Sequence, residues 1–268
     1  MKIRHYLCNA FIVEHGNKKI AIDPGFDTWI FKFRNYIPKF EWPSITHIIV
    51  THGDIDHYWS PDQIAEISGA SLICGKELVK RNGSSTYILD PRSREIKYST
   101  KLENAYPLGV GDVLLFDDLV VEAFKAIHGS LKLNLFFGLI NQTISPGPGE
   151  RIGIGSTVYK ININGKTIVN MGDTLLLKDH WKGLENLQPD VLMLPIGGDK
   201  MPNTITSKEA LEVVAMIQPK IVIPCHYNLS FLWMKNVNPT DDKNFKWEVE
   251  KMGLQCTLMN YGDELIIE

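Results

Sequence analysis

At 268 residues, 44% of them hydrophobic and 22% charged, the chain has the length and composition of a soluble globular enzyme or binding protein. A net charge of −3, a pI of about 6.2 and the lack of any Lys/Arg run argue against a nucleic-acid partner, and no uncharged apolar run is long enough to span a membrane. The N-terminus carries charges on both sides of a very short apolar patch, so it does not read as a signal peptide; Cys8, Cys74, Cys225 and Cys256, with no C-x-x-C spacing, fit free thiols in a cytoplasmic protein.

Taken in order, residues 2–25 predict a β-hairpin or meander, with a strand over Tyr6 to Val13, a turn at 14–17, a return strand over Lys19 to Ile22 and an Asp23-Pro24-Gly25 end. His5 and His15 read as ordinary surface or turn residues. Residues 26–43 are rich in aromatics (Phe26, Trp29, Phe31, Phe33, Tyr36, Phe40, Trp42) interleaved with Lys32, Arg34 and Lys39. They predict a helix or loop packed on the core, or else one wall of a substrate pocket or a self-association patch. His47 reads as structural. Ile48-Ile49-Val50 is a short β-branched run, and Ser60-Pro61 is a helix start. Thr51-His52-Gly53-Asp54-Ile55-Asp56-His57 is therefore a strand-to-helix loop with four metal-competent side chains in six residues. Two carboxylates and two imidazoles this close would repel or desolvate one another unless a cation gathered them. The plain alternative is a polar loop in which Asp54 or Asp56 caps the helix.

Beyond the loop, a short helix is predicted over 61–68, a strand over 72–74, a second helix over 76–81, and turns with edge strands over 82–107. Residues 113–127 predict a hairpin turning at Asp117-Asp118 and ending at His128. Residues 131–155 are apolar first and then Pro/Gly-rich, which fits either a cap near a site or a buried amphipathic segment. Asn164-Gly165 marks a second hairpin, whose return strand ends at Met171-Gly172-Asp173-Thr174. Asp173 could be a ligand or a helix cap. A short helix over 181–187 with an exposed His180, a buried strand over 190–195, a helix from Thr206 or Ser207 stopped by Pro219, and a buried strand 221–224 delivering Cys225-His226-Tyr227-Asn228 follow. Asp241-Asp242 reads as a solvated turn, 245–252 as a last helix and 254–267 as a final strand or pair.

Apolar strand, sharp turn, ligand is a pattern that recurs at His52, His128, Asp173 and His226. Sheet enzymes place chemistry at strand ends in this way. Two pseudo-halves, about 1–150 and 151–268, each with strands followed by helices, make one domain over 1–268. The expected class is α/β (α+β), a four-layer αββα sandwich of two mixed β-sheets with helices outside.

The loop Thr51–His57 resembles the His-x-His-x-Asp-His metal motif of the metallo-β-lactamase superfamily, with Asp54 in place of its second His. His128, NMGDT and PIGGDKMPNTITSKEAL…QPKIVIPCHYN follow in that family's order, and the last block resembles the ascorbate-6-phosphate lactonase branch. Carried over, the resemblance implies His52, Asp54 and His128 on one metal, Asp56, His57 and His226 on a second, and Asp173 between them. It implies a hydrolase using metal-bound water on a small ester, lactone or phosphodiester, with Asp56 and Asp173 catalytic. Zinc is the expected metal, with manganese or iron as alternatives because Asp54 hardens the first position. Tyr227 and Asn228 could bind substrate or support His226; Cys225 would point away from the site. The competing reading is a non-hydrolytic metal protein, an iron redox site or binding module on the same fold. A nucleic-acid-processing enzyme conflicts with the acidic pI. A small-molecule substrate, no nucleic acid, no membrane and possible homo-oligomerisation are expected.

Overall fold

Short apolar runs with alternating side chains become two seven-stranded mixed sheets stacked face to face. The computed structural model describes every residue except 28–33, 136–139, 147–148 and 232–233. The first sheet runs Ala105–Leu108, Ser71–Gly75, His47–Val50, Lys18–Ile22, Phe11–His15, Lys2–His5 and Glu264–Ile266. Its first four strands are parallel and the others antiparallel. The second runs Val113–Phe116, Leu119–Lys125, Thr157–Ile163, Lys166–Asn170, Val191–Pro195, Ile221–Cys225 and Gln255–Cys256, antiparallel as far as Lys166–Asn170 and parallel beyond.

Period-two alternation splits each buried strand between two cores. Ile20, Ile22, Ile49 and Ile73 face the second sheet, where they meet Tyr159, Ile161, Val191, Met193 and Ile223. Their neighbours Ala21, Ile48, Val50 and Leu72 point outward onto Ile64 and Ala65 of helix α1 (Pro61–Ser68). On the far side Leu192, Leu194 and Val222 meet α2 (Ser207–Ile217) and α3 (Asp242–Lys251). The layers are therefore helix, sheet, sheet, helix, as expected. Thr206 and Glu209 form a capping box at the start of α2.

Several local readings change. The first strand stops at His5 and the next begins at Phe11, because Tyr6 N–H bonds to Ala10 O and Ala10 N–H to Leu7 O, closing a turn around Cys8. His5 is buried, not on the surface, and its ring lies 3.0 Å from Met259 O and 3.2 Å from Cys8 O. The helix expected over 76–81 is one 3-10 turn, Lys76–Leu78, followed by the strand Val79–Asn82. The helix over 181–187 is two 3-10 turns, Lys178–His180 and Lys182–Leu184. Segments this short carry little 3.6-residue periodicity to tell one state from another. Asp241 is solvent-exposed as expected, but it also begins a helix: its side chain accepts from Asn244 N–H and caps α3. Of the 26–43 aromatics, Tyr36 and Trp42 are buried on the outer face of the first sheet and Phe40 is exposed. Trp29, Phe31 and Phe33 lie outside the described residues. No described helix is long and apolar enough to cross a membrane.

Candidate metal centre

Five strands of the two sheets deliver polar side chains just beyond their C-terminal ends. Lys18–Ile22 leads to Asp23, His47–Val50 to His52, Leu119–Lys125 to His128, Lys166–Asn170 to Asp173, and Ile221–Cys225 to His226. Close backbone approach makes this convergence possible. Gly172 has φ +55°, and a Cβ there would lie 2.6 Å from Thr51 Cβ. A Cβ on Gly25 would lie 2.0 Å from the Asp56 carbonyl oxygen. Neither place accepts a side chain.

All seven residues predicted as ligands come together. Asp54 Oδ2 lies 3.6 Å from His52 Nε2 and 3.4 Å from His128 Nε2. Asp56 Oδ2 lies 3.7 Å from His57 Nε2 and 3.4 Å from His226 Nε2. Asp173 stands between the groups, Oδ2 being 3.6 Å from His128 Nε2 and 3.2 Å from His226 Nε2, and Oδ1 3.9 Å from His57 Nε2. Two ligands on one tetrahedral zinc, at bond lengths of about 2.1 Å, are separated by roughly 3.4 Å.

The tautomers of three of the four rings, His52, His57 and His128, agree with this spacing. His57 Nδ1–H donates to Asp23 Oδ2 at 2.7 Å, and His128 Nδ1–H to Gly129 O at 2.6 Å. Thr51 Oγ1–H donates to Asp23 Oδ2, which leaves its oxygen to accept from His52 Nδ1–H at 3.1 Å. Each of these rings is thus left with Nε2 as its inward lone pair. His52 Nε2, His57 Nε2 and Asp173 Oδ1 are buried with no hydrogen-bond partner. Orphaned buried polar atoms are costly, and a cation would satisfy all three. The donor set of imidazole nitrogens and carboxylate oxygens fits a borderline or hard dication.

Burial and the neighbouring carboxylates pull on the ring basicities in opposite directions. Burial pulls His57 down, but Asp56, Asp23 and Asp173 outweigh it and push the ring up to about 10. Burial likewise opposes His128, which Asp173 and Asp54 push up to about 9. Burial, followed by the neighbouring His57, pulls His52 down. For Asp173, burial works against the charge, but His226 and His57 hold the carboxyl well below the usual carboxylate range.

Four supporting residues were not visible in the sequence. Asp23 reads there as turn chemistry, yet its carboxylate is fully buried. It accepts from Thr51 N–H at 2.7 Å, Thr51 Oγ1 at 2.7 Å and Asn9 Nδ2 at 2.6 Å, as well as from His57. Arg151 is buried beneath the motif and donates to Gly53 O at 2.8 Å and Pro91 O at 2.8 Å. Gly153 N–H donates to Asp54 Oδ1 at 2.8 Å, so part of the Pro/Gly-rich connection holds the motif's unusual carboxylate. The fourth, Cys8, lies with Asp56 and His226, the ligand atoms of the three being within 4.8 Å of one another. Asn228, a candidate substrate contact, lines the cavity beside His226 and also pins the returning loop through Thr240 N–H and O, both at 2.9 Å. Cys225 Sγ lies in the core between the sheets and donates to Asn9 Oδ1 at 3.4 Å.

A cavity of about 340 Å³ adjoins the His226 side and is lined by Cys8, Arg34, Tyr36, Tyr227 and Tyr261 among others. A second, of about 460 Å³, adjoins His128 and the 149–156 segment. Both are within the size range of small-molecule sites.

A family model described as Beta-lactamase superfamily domain matches residues 2–226. The UPF0173 metal-dependent hydrolase of Alkaliphilus metalliredigens (strain QYMF) is 31% identical over 228 residues, covering 85% of this chain and 86% of that protein. Its counterpart in Nanoarchaeum equitans (strain Kin4-M) is 28% identical over 267 residues, 99% of each chain. Among solved structures, Igni18, a novel metallo hydrolase from the hyperthermophilic archaeon Ignicoccus hospitalis KIN4/I, superposes with a TM-score of 0.69 at 20% identity, covering 100% of this chain and 98% of that one. With a family model over most of its length, full-length relatives of one kind and the strand-end cluster those relatives' name calls for, the chain belongs to the metallo-β-lactamase superfamily, among its metal-dependent hydrolases.

Proposed function

We propose that this protein hydrolyses a small ester, lactone or phosphodiester at a two-metal centre. His52, Asp54 and His128 would hold one ion and Asp56, His57 and His226 the other, with Asp173 within reach of both. The observation that supports this most strongly is the set of inward, unpartnered atoms, His52 Nε2, His57 Nε2 and Asp173 Oδ1, ringed by carboxylates at ligand-pair spacing. When bound, two dications lower the pKa of water toward neutrality and stabilise negative charge developing on a substrate oxygen.

The chain's own residues do the rest. Asp56 is the most open of the carboxylates, 34% exposed at its side chain, so it can orient water and take its proton from the solvent side. Asp173 is 2% exposed and has no such access, which suits it to a fixed ligand role. Asp23 and Thr51 set the tautomers of His57 and His52 before any ion arrives. The cavity beside His226, with the Arg34 guanidinium 4.9 Å from the Tyr261 ring centroid, would receive the substrate, and its aromatic wall suits a compact organic group. Zinc is the metal the nitrogen-rich set favours, with manganese or iron more acceptable at the Asp54 position.

The test is turnover of a panel of generic lactones, aryl esters and phosphodiesters by zinc-loaded wild type and by Asp173→Ala. Hydrolysis of at least one class that falls by about a thousandfold or more in the variant supports the reading. Equal turnover in both proteins overturns it.

A further inference from the structure

We propose that Cys8 supplies a thiolate ligand to the metal position formed by Asp56, His57 and His226, so that the two halves of the centre differ in chemical softness. The inference rests on the two-metal reading above and assigns a residue that the sequence motif does not contain.

The four cysteines of the chain are all buried, but their surroundings differ. Cys8 and Cys74 both lie in the outer core of the first sheet and Cys256 in that of the second, so burial alone does not separate them. Cys225 Sγ is spent on Asn9 Oδ1. Cys8 is the one cysteine, among the described residues, whose sulfur belongs to a candidate cation cluster, within 4.8 Å of ligand atoms of Asp56 and His226. Its other near polar neighbour is the Tyr36 hydroxyl, 3.6 Å from Sγ. What sets this core thiol apart is that a carboxylate and an imidazole stand beside it.

The cluster adjoins a further sign of a cation site. His57 Nε2, fully buried and without a hydrogen-bond partner, lies 3.7 Å from Asp56 Oδ2 and belongs with His52 and Asp173 to the neighbouring group of ligand atoms. The backbone also delivers the sulfur firmly. The tight turn between the first two strands puts Cys8 at φ +53°, and His226 N–H donates to Cys8 O at 3.3 Å. His226 itself has φ +55°. The two residues are thus locked to each other, and their side chains address one point from opposite sheets.

A zinc–sulfur bond of about 2.3 Å and a zinc–nitrogen bond of about 2.1 Å give a ligand separation of roughly 3.6 Å. Binding would therefore draw the thiolate and its neighbours together by something on the order of 1 Å, with the thiol proton leaving to solvent as the metal–sulfur bond forms. Sulfur ligation selects zinc, cobalt or cadmium over manganese or magnesium. The other half, with Asp54 where the family motif has an imidazole, has no sulfur and shifts the opposite way.

The experiment is a cobalt(II) titration of metal-free, full-length wild type, Cys8→Ser and Cys225→Ser, followed by absorption spectroscopy, with bound cobalt counted by elemental analysis and folding checked by circular dichroism. A sulfur-to-cobalt charge-transfer band in the near ultraviolet is expected in wild type and Cys225→Ser and is expected to be lost in Cys8→Ser. Should Cys8→Ser fail to fold, Cys8→Ala takes its place: loss of the band there supports the assignment, and its survival overturns it. Cobalt bound to wild type without any sulfur band overturns the Cys8 assignment and leaves the two-metal reading standing. Failure of every protein to bind cobalt overturns both.

Discussion

Asp23 is the residue on which the rigidity of the centre most depends, and Asp23→Asn perturbs it with little change in volume. The carboxylate accepts four hydrogen bonds, Thr51 N–H on Oδ1, and Asn9 Nδ2, Thr51 Oγ1 and His57 Nδ1 on Oδ2. An amide has one oxygen and one NH2. Were the NH2 to replace Oδ2, three donors would face a donor. The cheaper orientation turns it to the Thr51 amide, leaving one buried N–H without an acceptor at a cost of about 1–3 kcal/mol. For a chain of this size that lowers the unfolding midpoint by roughly 2–10 °C. The His57 bond survives in this orientation but loses its charge, and with it much of the ring's basicity. Loss of such a partner typically weakens metal binding by about 10- to 100-fold, or roughly 1.4–2.8 kcal/mol. Competition for zinc against a chromogenic chelator reads the second effect, and thermal unfolding of the metal-free protein reads the first. A folded Asp23→Asn that keeps the wild-type zinc affinity would refute the reasoning. Asp23 would then be a buried polar plug with no part in presenting His57.

Other outcomes follow from the same geometry. Asp54→Ala removes one ligand and the acceptor of Gly153 N–H, so elemental analysis should show bound metal falling toward a single equivalent, with the remaining ion on the Asp56 side. Gly172→Ala forces a side chain into φ +55° with a Cβ 2.6 Å from Thr51 Cβ, and should destabilise the protein by about 2 kcal/mol or more in denaturant titration. His47 is pushed down to about 4 by burial and by Lys18. The unfolded chain, whose histidine titrates near 6.5, therefore takes up the proton first, and stability is complete above that pH and lost as pH falls toward 4. The loss assignable to this ring is at most about 3 kcal/mol, and His47→Leu should show that much less decline between pH 7 and pH 4.

Much of the centre was legible because its chemistry follows directly on strong strand signals. His52, Asp173 and His226 each stand just beyond a run of buried β-branched or apolar residues, and a buried strand with polar side chains at its tip has few other reasons to exist. The layered fold was legible for a related reason: strands buried on both faces read as continuous apolar runs, and two stacked sheets with outer helices are one arrangement that buries both faces. What escaped was whatever depended on partners far along the chain. Asp23-Pro24-Gly25 is good turn chemistry locally, and its role appears only when Thr51, His57 and Asn9 fold onto it. The sequence places Cys8 inside a strand, since Tyr6 to Val13 is apolar enough to be one, and the turn that brings its sulfur to Asp56 is closed by backbone bonds with no Gly or Pro to announce it. Arg151 sits in a Pro/Gly-rich stretch where a charged residue reads as solvated, yet it is buried and spends its donors on carbonyls of the motif loop and the 90–93 turn.

The most direct test of the two-metal centre is the metal content of protein purified without chelator and without a metal-affinity column, measured by elemental analysis. The expected result is close to two equivalents of transition metal, mainly zinc, per chain in wild type and a clear reduction in Asp173→Ala. Wild-type protein that contains no metal, and acquires none on dialysis against zinc, would contradict it.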